Sequence, residues 1–207
     1  MIRATQKDKK LVVDILVEAF DPIKGDNSIN FIVRHDTKRL YRMRVLMEYL
    51  FDKALRTGEV FLSDNFGSCL LITYAHKDRF SVSKVISTLR LVLFCIGFNR
   101  LRKVLRRQKI VQRNYPKGEY IRPMIFAVKQ EYKGTVTAAK LIMQVYKEKQ
   151  HLALPIIVDT ASEELVGLYR KFGLRIFNTE TELGFPIYML RMEGVPPIKG
   201  ERTRKII

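Results

Sequence analysis

The chain has 207 residues, 47 % of them hydrophobic and 10 % aromatic. That supports one domain with a sizeable core and excludes a disordered chain. Lys and Arg outnumber Asp and Glu by 38 to 21, a formal charge of +17, which attracts polyanions without selecting among them. Cys69 and Cys95 lie in apolar runs and His35, His76 and His151 are scattered, so there is neither a disulfide framework nor a metal-ligand spacing.

Met1 to Ala4 reads as a short edge strand. Thr5-Gln6-Lys7-Asp8 fits a capping box, opening a helix to about Phe20 with Val12, Ile15, Leu16 and Ala19 on one face. The N-terminus lacks the apolar core of a signal peptide. The most apolar run, Leu89 to Phe98, is about half the length that crosses a bilayer. A soluble, cytoplasmic protein is therefore expected. After the turn-rich Asp21 to Asn27, a second helix is predicted over Asp36 to Arg56, with Leu40, Met43, Met47, Leu50 and Ala54 inward and Thr57-Gly58 as its end. Val60 to Leu62 and Ser68 to Ala75 form a hairpin around Asp64-Asn65-Phe66-Gly67, with Gly67 placed where positive φ is tolerated.

Ser81 to Arg113 carries a helical apolar stripe, Val82, Val85, Ile86, Leu89, Leu93 and Ile96, resumed after Gly97 by Leu101, Val104 and Leu105. Its second half is basic and amphipathic. Three roles compete for it: an insert packed over the sheet with its cations in solvent, a source of positive potential near a bound phosphate, or a helix lying on an anionic membrane or nucleic acid. The turn Tyr115-Pro116-Lys117-Gly118 closes it.

Ile121 to Val128 is a short apolar strand, followed by a loop and a helix whose buried stripe is Ala138, Leu141, Ile142 and Val145. Pro155 opens a strand over Ile156 to Val158, and Ser162 caps a shorter helix with Glu163 and Glu164 in its first turn. This strand–loop–helix–strand–helix order describes a crossover unit whose two strands lie parallel and side by side. A strand that turns directly into a helix leaves amides free for an anion. Leu174 to Phe177 and Ile187 to Arg191 read as a final antiparallel pair. Residues 1–194 are taken as a single domain, with 195–207 a basic tail.

The residues of the central unit carry a resemblance. Val128 ends the strand, Lys133-Gly134-Thr135-Val136-Thr137-Ala138 follows, and Tyr169 precedes Phe172-Gly173-Leu174. Over roughly Tyr120 to Phe177 this resembles the acetyl-CoA-binding core of the Gcn5-related N-acetyltransferases (the GNAT superfamily). The helical insert and its Tyr-Pro turn are similar to a branch resembling puromycin acetyltransferase, which favours the packed-insert role. Lys133 replaces the family's Arg or Gln, Val136 a usual Gly, Gln130 a frequent Pro, Leu165 a common Asn and Leu174 a Phe.

The resemblance implies an α/β fold, a central mixed β-sheet flanked by helices, and acetyl transfer from acetyl-CoA to a primary amine by direct transfer, with no metal. It implies that amides of Lys133, Gly134, Thr135, Val136, Thr137 and Ala138 hold the pyrophosphate. The backbone of Phe126, Ala127 and Val128 would pair with the pantetheine arm, and the Val128 N–H would polarise the thioester. Tyr169 is the expected acid for the leaving thiolate. Glu119 is the first candidate for the base and Asp159 the second. Phe31, Arg34, His35 and Tyr41 are acceptor-pocket candidates, with plain surface or core roles competing for each. The acceptor is a small-molecule or peptide amine, nucleic acid is not the expected partner, and the protein is a monomer or homodimer. The alternative is a catalytically inactive protein of the same fold that binds CoA or another polyanion, nucleic acid included.

Overall fold

A computed structural model describes residues 1–25, 27–77 and 81–194; the tail expected over 195–207 lies outside them. The described strands are β1 (Ile2–Arg3), β2 (Gly58–Leu62), β3 (Ser68–Tyr74), β4 (Ile121–Val128), β5 (Ile156–Thr160), β6 (Arg175–Glu180) and β7 (Ile187–Met192). They form one sheet in the order β1-β2-β3-β4-β5-β7-β6. Every neighbouring pair is antiparallel except β4 and β5, which are parallel, as the crossover order requires.

Helices cover both faces of the sheet. α1 (Lys9–Phe20) and α3 (Arg39–Thr57) pack on the face presented by Val60, Leu62, Cys69, Leu71, Ile125 and Ala127. The five-residue α2 (Ser28–Ile32) lies between them in sequence. On the opposite face, α6 (Thr137–Lys149) buries Leu141 and Val145 against Phe61, Leu70 and Ile72, and α7 (Glu163–Lys171) buries Val166 against Val158 and Leu190. Strand alternation explains the division, because successive side chains point to opposite faces.

Several local expectations hold in detail. Thr5 and Asp8 make the reciprocal capping box, with the Thr5 N–H donating to Asp8 Oδ2 at 2.8 Å. Ser162 caps α7 by accepting from the Leu165 N–H at 3.3 Å. Cys69 and Cys95 are free thiols inside the core; burial pushes the Cys95 thiol up to about 12 and raises that of Cys69 as well.

Other expectations are corrected. Leu40, assigned to the buried stripe of α3, is exposed, and the helix starts at Arg39. In the β2–β3 turn the left-handed residue is Phe66, φ 54°, while Gly67 is needed for space: a Cβ there would meet the Tyr132 ring at 2.5 Å. The segment before β4 forms α4 (Val82–Leu91), a π-helical turn over Val92–Ile96, and α5 (Phe98–Asn114). Its stripe was expected to pack inward. Instead Val82, Val85, Ile86, Leu89 and Leu93 face outward, and only Ile96 of that set is buried. Contact with α3 is made by Leu91, Cys95 and Ile96, with Arg90 paired to Glu48 at 2.7 Å. Among the described residues no single helix is long and apolar enough to cross a membrane; the bent pair 82–96 and 98–114 passes that test only together and turns through 118°.

Candidate active site

β4 and β5 part almost as soon as they meet. Their register contains only the pair Ile121↔Ile156, reinforced by the Ile121 N–H donating to the Pro155 carbonyl at 2.9 Å. β4 is bent here. Leu71 faces Ile125 and Ile72 faces Pro123, which leaves Met124 as the extra residue of a bulge. Pro123 has no N–H to offer a neighbouring strand. At the far end of β4 the Lys129 N–H donates to the Gly67 carbonyl on the β3 side at 2.9 Å. By alternation Ala127 also turns its backbone toward β3, whereas Phe126 and Val128 turn theirs into the gap left by β5. The fork thus presents a strand edge that an extended ligand can pair with.

The loop that follows is fixed from several sides. Tyr132 lies over Gly67, the Gln130 N–H donates to Glu18 of α1 at 3.1 Å, and Asn65 Nδ2 donates to Thr137 Oγ1 at 3.1 Å. Gly134 adopts φ +77°, a conformation that glycine enters without the Cβ penalty. Thr135 N–H is taken by the Tyr132 carbonyl, Lys133 N–H by Gln130, and Thr137 N–H by Thr135 Oγ1 at 3.3 Å. The amides of Gly134, Val136 and Ala138 have no partner among the described residues. Val136 is already helical, φ −70° and ψ −9°, and its side chain is 78 % exposed. The result is a cluster of free N–H groups at the start of a 13-residue helix, the arrangement that suits a phosphate.

On the α1 and α5 face of the fork sits a charged network. Asp159, the fourth residue of β5, accepts from Arg122 Nη2 of β4 at 2.7 Å and from the Tyr115 hydroxyl at the end of α5. Arg107 of α5 approaches its other oxygen at 3.8 Å and donates to Ser28 Oγ of α2. The Arg122 guanidinium lies 4.8 Å from the Tyr115 ring centroid, and Tyr115 stacks on Tyr120 at 5.5 Å. Burial alone would raise the Asp159 pKa. The charges of Arg122 and Arg107, with the Tyr115 hydrogen bond, reverse this and hold it below the ordinary carboxylate value. Arg107 is lowered by burial that Asp159 does not fully offset. Two cations therefore face one anion. Nε of both arginines is buried without a hydrogen bond among the described residues.

Tyr169, on α7, is half-buried against the Val158, Leu174 and Leu190 cluster. Burial, with the negative charge of Asp159, raises its pKa, so the phenol stays protonated at neutral pH. Glu119 is placed elsewhere. It lies on the far side of the Ile121↔Ile156 pair, exposed, with His76 Nδ1 at 3.7 Å. It borders a cavity of about 370 Å³ with Glu59, Tyr74 and Lys149. Of the acceptor-pocket candidates, Phe31 meets Phe185 of the β6–β7 connection at 5.9 Å, and its carbonyl accepts from Arg100 at 2.7 Å. Arg34 pairs with Asp36 at 3.4 Å; His35 and Tyr41 are exposed. The sequence marks neither Arg107 nor Arg122 as part of this site; Arg107 stands out there only as one of the cations of the basic helix. Arg122 leaves one signal, a cation inside an otherwise apolar strand.

No family model and no curated protein matches the chain by sequence. Solved structures do match its fold. The chain is similar to a Corynebacterium glutamicum protein titled histone acetyltransferase HPA2 and related acetyltransferase, at TM-score 0.66 and 18 % identity over 95 % of this chain and 97 % of that one. It is also similar to arylalkylamine N-acetyltransferase 2 from Aedes aegypti, at TM-score 0.60 and 13 % identity over 94 % and 98 %. A GNAT-family protein from Desulfovibrio desulfuricans matches at TM-score 0.53 and 11 % identity over 94 % and 98 %. With a mixed sheet forked between β4 and β5 and a loop of unpaired amides leading into α6, the chain has the fold of the Gcn5-related N-acetyltransferases.

Proposed function

We propose that this protein is an N-acetyltransferase that moves the acetyl group of acetyl-CoA directly to a primary amine. The observation that carries the reading is the continuity of open backbone donors, from Phe126 and Val128 at the fork to Gly134, Val136 and Ala138 in the loop. Acetyl-CoA, when bound, supplies an activated acyl group on a thiol leaving group. The loop amides would hold its pyrophosphate, and the open edge at Phe126 and Val128 would align its arm as an extra strand. The Val128 N–H would stabilise the carbonyl oxygen as charge develops on it. Tyr169 would give its proton to the departing sulfur.

Asp159 lies in the fork, but its cation partners oppose protonation. Glu119 lies beyond the closed end of the fork with His76, so it would act only through water. The reading therefore favours an amine that arrives neutral. The surplus of guanidinium over carboxylate at Arg107, Arg122 and Asp159 favours an acceptor that also bears an anionic group.

Calorimetric titration with acetyl-CoA, with dephospho-CoA as comparison, tests the binding half; thiol release across a panel of amines tests the transfer half. Micromolar binding with amine-dependent thiol release supports the reading. Binding without release under any amine leaves the non-catalytic alternative; absence of binding removes the transferase reading and leaves only a protein of this fold that binds another polyanion.

A further inference from the structure

The α4–α5 hairpin carries more apolar surface than its own domain covers. The side turned to α3 carries the buried Leu91, Cys95 and Ile96, with Ser87 meeting Arg56 at 3.4 Å and Arg90 pairing with Glu48. The outward side carries Val82, Val85, Ile86, Leu89 and Leu93, spaced at i, i+3, i+4, i+7 and i+11, and Val82 and Ile86 are 69 % and 63 % exposed. At the corner Gly97 takes φ +76°, the chain turns through 118°, and Phe94 and Phe98 project into solvent, Phe98 at 70 %. Leu105 continues the apolar surface on α5. A concentration of exposed apolar side chains of this kind marks an interaction surface.

Its chemistry narrows the partner. From 81 to 117 the sequence contains no Asp or Glu and ten Lys or Arg. Arg102, Lys103, Arg106 and Lys109 are on the exposed side of α5 and make no ion pair among the described residues. A second copy of this chain would bring those cations against their equals, at an electrostatic cost. A nucleic acid would meet the cations but leave Ile86, Leu89, Phe94 and Phe98 in water. A bilayer rich in acidic lipid answers both halves: apolar side chains enter the acyl boundary to a depth of about 5–10 Å while Lys and Arg stay among the phosphates.

We propose that the outward face of α4 and α5 docks the protein on the surface of an anionic membrane without crossing it. The opposite side of α5 supplies Arg107 and Tyr115 to the fork, and Arg100 to the Phe31 carbonyl of α2. Docking therefore sets the acceptor side of the fork close to the lipid headgroups. The binding itself does not depend on the catalytic reading.

The test is co-sedimentation of the full chain with vesicles of phosphatidylcholine alone and of phosphatidylcholine with phosphatidylglycerol. The expected result is binding to the acidic vesicles at least about tenfold tighter than to the neutral ones. The exposed set Ile86→Ser, Leu89→Ser and Phe98→Ser should lower that binding about tenfold or more with the thermal melt still cooperative and little shifted, since those residues are more than half exposed. Replacing Arg102, Lys103, Arg106 and Lys109 by Gln should abolish the lipid selectivity. The proposal is overturned if the wild type ignores both vesicles. It is equally overturned if binding survives the apolar substitutions, which would reduce it to charge alone. An oligomer in gel filtration that the serine variant converts to monomer would assign the face to a second copy instead.

Discussion

Arg122 and Asp159 meet at 2.7 Å across a fork whose strands last paired one residue earlier on β4 and three residues earlier on β5. The ion pair bridges two strands that no longer share backbone hydrogen bonds, so it helps to fix the width at which the fork opens. Arg107 and Tyr115 carry the same tie to α5.

Asp159→Asn should therefore destabilise the fold by about 3–5 kcal/mol at neutral pH, because two nearly buried guanidinium groups lose their counter-charge. The sign with pH is set by a depressed carboxylate pKa. The contribution is fully present above the ordinary Asp value, near pH 4, and is lost as pH falls through the lower folded-state value. Denaturant melts of wild type and variant should differ most at pH 7 and converge in strong acid. A constant gap down to the lowest accessible pH would remove Asp159 from the network's energetics.

Tyr169→Phe should lower kcat by about 100-fold, the usual worth of a positioned acid, with the Kd for acetyl-CoA changed less than about twofold. Burial and the neighbouring Asp159 raise the phenol above its ordinary value. Wild-type activity should then show no alkaline loss attributable to this group below about pH 10. An unchanged kcat in the variant would leave Tyr169 as a packing residue of α7.

The loop makes two opposite forecasts. Gly134→Ala places a Cβ at φ +77°, a strain of about 1–2 kcal/mol, and should weaken acetyl-CoA by about tenfold as the cradle shifts. Val136→Gly should change affinity by less than about threefold, because the Val136 backbone is already helical and its side chain points to water. Calorimetry on both variants checks this; a large gain from Val136→Gly would mean that the valine obstructs the phosphate site.

Gly67→Ala forces a methyl into the Tyr132 ring at 2.5 Å. Tyr132 must move, and with it the 3-10 turn over Gln130–Tyr132 that leads into the cradle. A loss of stability of about 1–3 kcal/mol should appear together with weaker acetyl-CoA binding. Tyr132→Ala in the same background should recover part of the stability.

The central unit was legible because its signals are local. Pro155 and a β-branched run announce β5, Ser162 announces α7, and the apolar run from Ile121 to Val128 can be little else than a strand. α2 was missed because its five residues, Ser28–Ile32, are too few to show a period. The apolar stripe on α4 is plain in the sequence, but its outward direction is not. Periodicity reveals that a helix has an apolar side, but not what that side meets, and α3 is met instead by Leu91, Cys95 and Ile96. Gly67 was assigned to turn geometry; the reason lies in the ring of Tyr132, far along the chain. Arg107, Arg122 and Asp159 come together only through tertiary structure, so no spacing rule could join them.

Cys69 and Cys95 carry a practical benefit. Both thiols are buried and held protonated far above neutral pH, and the thiolate is the form that attacks a disulfide dye. In the folded protein they should stay silent toward Ellman's reagent, so colour during an assay would report coenzyme A released by the proposed transfer. A slow rise without amine would instead time the opening of the core.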